Sequence, residues 1–116
     1  MPVMTVPAPA LLAVEEAVRA TVDHDAERLA TLAPDAGDLY LWTRDYGSHG
    51  TVELVMPPGR PEEWDTEWTD MADGGKHVAV GMWTRQEQRS DLTLELWVHP
   101  DVGGRWRARI LDLHVL

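Results

Sequence analysis

The residues with the clearest chemical potential stand at the end of the chain, where Asp112 and His114 lie two apart in the run RSDLTLELWVHPDVGGRWRARILDLHVL. On an extended strand two such residues point the same way at about 7 Å. A carboxylate at that reach raises the basicity of an imidazole, and with a ligand between them the pair would serve as general acid and base. Whether they face a pocket depends on one residue. Trp106, Ala108 and Ile110 are the apolar positions of the first half of this segment, whereas Leu111, Leu113 and Val115 are those of the second. A β-bulge near Ile110 and Leu111 would swap the faces and turn Asp112 and His114 outward. An unbroken strand would point both into the protein beside Trp106, with Trp64 and Trp68 as further walls and Tyr40 near the mouth.

Other candidates have simpler explanations. His24 sits between Asp23 and Asp25, but adjacent residues on a helix diverge in direction, so a cap with solvated neighbours accounts for them better than a metal. Glu62, Glu63, Asp65 and Glu67 surround Trp64 and Trp68, where charge and ring faces could hold a cationic group; a solvated acidic edge that discourages strand pairing is the plainer reading. Cysteine is absent, which removes disulfide scaffolds, thiol catalysis and thiolate zinc sites. No metal-ligand set and no cofactor are expected, and no nucleophile motif or phosphate loop occurs.

Ten basic against twenty acidic side chains give a formal charge of −10. Affinity for nucleic acid comes from Lys and Arg at phosphates, so no nucleic-acid partner is expected. The start MPVMTVPAPA has no basic residue and lacks the apolar run of a signal peptide, and no stretch approaches the roughly 20 apolar residues of a membrane span. A soluble, cytoplasmic protein is the expectation. Six Trp and two Tyr occur without any Phe, a bias toward rings that pack while offering a polar edge.

The elements that must position these groups follow from the patterning. Residues 1–9 carry Pro2, Pro7 and Pro9 and read as a tail, with one domain over 10–116. Leu11, Val14, Val18 and Val22 recur at helical spacing, and Asp25 can cap a second helix, Ala26 to Leu32, ahead of Pro34. Residues 38–47 read as a helical turn, with a strand as the alternative. A short strand from Thr51 to Met56 stops at Pro57-Pro58-Gly59, and a loop follows to Glu63. Alternation then predicts strands from Trp64, over Lys76 to Arg85, through Leu92 to Val98, and over Arg105 to Val115.

Helices first and a meander afterwards predict an α+β domain, its N-terminal helices packed on a curved antiparallel sheet of four to five strands, cone-like or cystatin-like. Val78, Val80, Met82 and the ladder Leu92, Leu94, Leu96 and Val98 should face the helices. Trp83, Glu95 and Trp97 fall on the reverse, where Gly81 leaves room for a large ring across the strand. An apolar patch there predicts a homodimer through the sheet.

A helix, Tyr46-Gly47, Leu54-Val55-Met56-Pro57-Pro58, Met82-Trp83-Thr84, Arg89-Ser90-Asp91-Leu92-Thr93-Leu94-Glu95-Leu96 and the terminal Asp112-Leu113-His114-Val115-Leu116 together resemble a small uncharacterised bacterial domain family. More loosely, helices followed by a curved sheet resemble the cone fold of nuclear transport factor and the SnoaL-like cyclases. That resemblance implies acid-base isomerases, polyketide cyclases, binding domains and immunity proteins as functional classes, many dimeric through the sheet. The first helix lacks the Tyr that isomerase-type members place there, which removes the basis for their oxyanion site.

Two functions follow from these readings. The first is a non-catalytic acidic domain that binds a small apolar ligand or a basic protein partner, an immunity-type partner among them. The alternative is a cofactor-free acid-base enzyme of cyclase or isomerase type, with Asp112 and His114 as the pair and Trp64, Trp68, Trp106 and Tyr40 around a small apolar or aromatic substrate.

Overall fold

A computed structural model describes residues 6–33, 53–85 and 87–115 of the chain. The segment 38–47 and Tyr40, Tyr46 and His49 lie outside the described residues. Helix α1 runs Ala8–Val22 and α2 runs Ala26–Leu32. The first helix begins two residues before the expected boundary. Pro7 is its N-cap and Pro9 falls in its first turn, where a missing N–H removes no helical bond. So the proline-rich stretch helps to start the helix instead of lying wholly in a tail. His24 adopts the left-handed conformation (φ 51°) between the helices, and the Asp25 carboxylate accepts the Arg28 N–H at 3.2 Å, which caps α2 as its sequence requires.

The strands are β1 (Leu54–Val55), β2 (Thr66–Asp70), β3 (Lys76–Thr84), β4 (Gln88–Pro100) and β5 (Trp106–Val115). All pairings are antiparallel, and β1 and β2 share one edge of β3, whose other edge leads to β4 and then β5. A 3₁₀ turn, Pro61–Glu63, interrupts the loop before β2. Trp64, expected to open a strand, instead closes that turn, buried and donating its Nε1–H to the Gly59 carbonyl at 3.3 Å. The result is the α+β architecture expected: two N-terminal helices followed by a curled antiparallel sheet that forms a half-barrel.

One face of the sheet is the core. Val78, Val80 and Met82 of β3, the Leu92, Leu94, Leu96 and Val98 ladder of β4, and Ala108, Ile110 and Leu113 of β5 are buried with Ala10, Ala13, Val14, Ala17 and Val18 of α1. The alanine stripe on α1 lets the helix lie close to the leucine ladder, and every second strand residue drops into that interface.

Two irregularities set which side chains reach the other face. Between the Gly81–Thr93 and Trp83–Arg89 pairs β4 carries two extra residues. Ser90, buried there, repairs the ladder by donating its hydroxyl to the Met82 carbonyl (2.9 Å) and accepting the Leu92 N–H (3.2 Å). In β5 the register shifts between the Glu95–Asp112 and Leu96–Ile110 pairs, leaving Leu111 as the extra residue. Of the two geometries open to the last strand, the bulged one is present.

Candidate functional site

The bulge at Leu111 decides where the terminal pair points. Upstream of it Trp106, Ala108 and Ile110 face α1; downstream Leu113 is buried in their place, and Asp112 and His114 stand on the outer face. Neither residue lies beside Trp106. That ring packs against the core on the helix side, lining a groove with Pro9, Leu12 and Arg105. Trp64 is in the core and Trp68 packs onto it, its Nε1–H donated to Thr66 Oγ1 at 3.1 Å. The Trp-walled pocket around Asp112 and His114 is therefore corrected: the three rings and the polar pair occupy opposite faces, because one inserted residue changes the phase of β5.

The outer face has its own order, set by strand register. Gly81, Thr93 and His114 form one row, Ala79, Glu95 and Asp112 the next, and His77, Trp97 and Arg109 the third. Glu67 and Thr69 of β2 extend the second and third rows beyond Ala79 and His77. The diagonal of a sheet brings neighbours in adjacent rows within reach of long side chains. Glu95 uses both diagonals. His77 Nε2 lies 3.0 Å from Glu95 Oε1 and His114 Nε2 2.7 Å from Glu95 Oε2. An ionised carboxylate only accepts, so each imidazole presents Nε2–H to it.

Small residues on β3 open space beside this triad. Ala79 lies at the centre of a hollow of about 290 Å³ lined by Glu67, Thr69, His77, Thr93, Glu95 and His114. The volume is near the lower limit of small-molecule sites, about 300 Å³. Asp112 stands at its margin: one ligand atom each from Glu95, Asp112 and His114 lie within 4.8 Å of one another. Asp112 Oδ1 accepts the N–H of Leu113 at 2.9 Å, so backbone holds one side of this carboxylate. Thr93, nine-tenths buried on the floor of the hollow, has a hydroxyl oxygen with no hydrogen-bond partner among the described residues. Buried polar atoms normally have partners, and an orphan is a mark of a missing water, ion or ligand.

The ends of the face are closed by packing. The expectation that Gly81 leaves room for an aromatic ring is corrected: the Arg89 guanidinium fills that room and would overlap a Cβ at this position. Arg89 is held there by Asp65, with Nε 3.0 Å and Nη2 2.9 Å from Oδ2. At the other end Trp97 stacks on His99 with ring centroids 4.6 Å apart. Trp83 and Trp97 lie on the outer face as the alternation predicts, each half-buried. Glu95 sits between them, engaged by the two histidines.

Sequence reasoning placed Glu95 on this face, and the alternation that puts Gly81 and Trp83 there puts His77 there too, but neither was connected with His114. The three are 18 and 19 residues apart along the chain, and only the register of β3, β4 and β5 joins them. His24 lies in the turn between the helices, among the described residues remote in sequence and element from the hollow.

A family model for a domain of unknown function, DUF7668, matches residues 18–116. The chain belongs to this family. No curated protein and no solved structure matches it. The matched region takes in all but the first ten residues of α1 and the whole sheet, so the triad and the bulge are elements of the DUF7668 domain. Among the described residues no helix is long and apolar enough to cross a membrane.

Proposed function

We propose that this DUF7668 domain is a non-catalytic binding module that takes a small cationic group into the hollow on the outer face of its sheet. The observation that carries this reading is the Glu95 carboxylate shared between His77 and His114 above the unpartnered Thr93 hydroxyl. Glu67, Glu95 and Asp112 bring three carboxylates to the hollow and its margin, while the guanidiniums of Arg109 and of Arg89, the latter paired with Asp65, stand in the adjoining rows. The local charge has the same sign as the whole chain, and a field of one sign over a recess raises the local concentration of opposite charge. A cationic small molecule, or a basic side chain of a protein partner, suits that chemistry.

The cyclase-type alternative has weaker support. Its apolar walls were to be Trp64, Trp68 and Trp106, which stand on the helix side. The helical pair ahead of a curled sheet supports kinship with the SnoaL-like cone folds by fold analogy only, and such analogy does not choose between binding and catalysis.

Methylguanidinium and methylammonium chloride, titrated into the full chain, test the binding reading through the imidazole resonances. His77 and His114 should shift in a saturable way while His24 does not, and Glu95→Gln should abolish the response. Equal shifts at all histidines, or none up to molar salt controls, would overturn it.

A further inference from the structure

We infer that the cation this hollow accommodates best is a divalent transition-metal ion of the zinc type, held by His114 Nε2, Glu95 Oε2 and an Asp112 oxygen. The inference rests on the binding reading above and narrows it to one ligand class. Three observations carry it. The ligand atoms of these side chains already lie within 4.8 Å of one another. A tetrahedral ion with bonds of about 2.1 Å needs its ligand atoms roughly 3.4 Å apart, so rotamer adjustments of the order of an ångström close the site. His114 Nε2 and Glu95 Oε2, at 2.7 Å, need only part slightly as the neutral imidazole takes its proton on Nδ1 and offers the Nε2 lone pair to the ion.

The second observation concerns support. A metal-binding carboxylate is positioned by a partner on its other oxygen, and here His77 already engages Oε1 at 3.0 Å. Asp112 is steadied in the same way by the Leu113 N–H at 2.9 Å. The third is independent of the carboxylates. Thr93, opposite His114 in the ladder, is nine-tenths buried and keeps an unpartnered hydroxyl oxygen at the floor of the hollow. Thr93 lines the hollow, and a turn of its side chain would present that hydroxyl to a water in the fourth position of the ion. Mixed imidazole and carboxylate donors favour zinc, nickel or copper over magnesium or calcium, which prefer oxygen alone.

Calorimetric titration of the chelator-treated full chain with zinc chloride, and separately with magnesium chloride, tests the inference. One zinc per chain and no response to magnesium are expected. His114→Gln, Glu95→Gln and Asp112→Asn should each weaken zinc by at least about tenfold, whereas His24→Asn, in the exposed interhelical turn, should leave it unchanged. A measurement on the unaltered chain guards against variants that fail to fold: cobalt(II) should broaden or shift the His114 and His77 imidazole signals before those of His24. Absence of zinc binding overturns the inference, and so does zinc affinity that survives all three substitutions. Methylguanidinium binding without zinc binding would remove only the metal, whereas loss of both would remove the hollow as a site.

Discussion

The two faces of the sheet are built from the same strands on opposite rules. On the helix side β3 sets Val78, Val80 and Met82 and β4 sets Leu92, Leu94, Leu96 and Val98 at alternate positions, and Val78, Val80, Leu94, Leu96 and Val98 are fully buried. On the outer side β3 contributes Ala79 and Gly81 where its other face has Val80 and Met82, and β4 and β5 contribute Thr93, Glu95, Asp112 and His114. The first arrangement removes apolar side chains from water, which suits stabilisation by burial at about 25 cal/mol per Å². The second leaves a recess ringed by groups that hydrogen-bond or ionise. Stability is thus concentrated on one face, and the other is free to carry polar chemistry without weakening the core.

The bulge at Leu111 keeps these rules apart, and a charge placed on the inward side just past it should have the largest effect. Leu113 is buried only because the bulge has changed the phase of β5, so Leu113→Asp would put a carboxylate into the core. An unpaired buried charge costs about 3–5 kcal/mol. Urea unfolding should show a loss of that order, and a Leu113→Asp variant within about 1 kcal/mol of the parent would mean that the bulge does not separate the faces.

A neighbouring pair of substitutions sharpens the contrast within one strand. Leu94→Ala removes a fully buried side chain facing α1 and should cost about 2–5 kcal/mol. Glu95→Ala, one residue on, breaks two partly exposed contacts to histidine and should cost about 1 kcal/mol or less. Equal losses in denaturant titrations would show that the outer face is part of the core.

The same contrast explains what was legible beforehand. Period-two patterning assigns a face to every strand residue, so the leucine ladder, the outward Trp83 and Trp97 and the change of phase after Ile110 could all be read directly. The Asp25 cap was legible because capping is a local, side-chain-to-backbone affair. Neighbours across strands were not. That His77 and His114 share Glu95 depends on register, and register here depends on Ser90 and Leu111 at the two bulges. Nor does a small residue announce its occupant: the space over Gly81 suits a ring as well as a guanidinium, and the Asp65 partner that selects Arg89 lies 24 residues away from it.

Gly81 offers a smaller perturbation of the outer face. Gly81→Ala would push the Arg89 guanidinium from its place and weaken its pair with Asp65. Because the displaced group is the far end of a flexible, partly exposed side chain, a loss of about 1 kcal/mol or less is expected. The loss should vanish in an Arg89→Ala background, as a double-mutant cycle would reveal. A penalty that persists without Arg89 would place the cause in the backbone of β3.

The smallest expected change in stability is also the most informative about the hollow. Glu95→Gln keeps the size and shape of the side chain but replaces one acceptor oxygen by a donor, so it can no longer accept from both Nε2–H groups. With about 30% of each of the three side chains still exposed, water can replace the lost bond, and thermal unfolding should shift by the equivalent of about 1 kcal/mol or less. The imidazole resonances of His77 and His114 should nevertheless both move. If only one moved, Glu95 would be the partner of a single histidine, and the hollow would lose the shared carboxylate on which its binding chemistry rests.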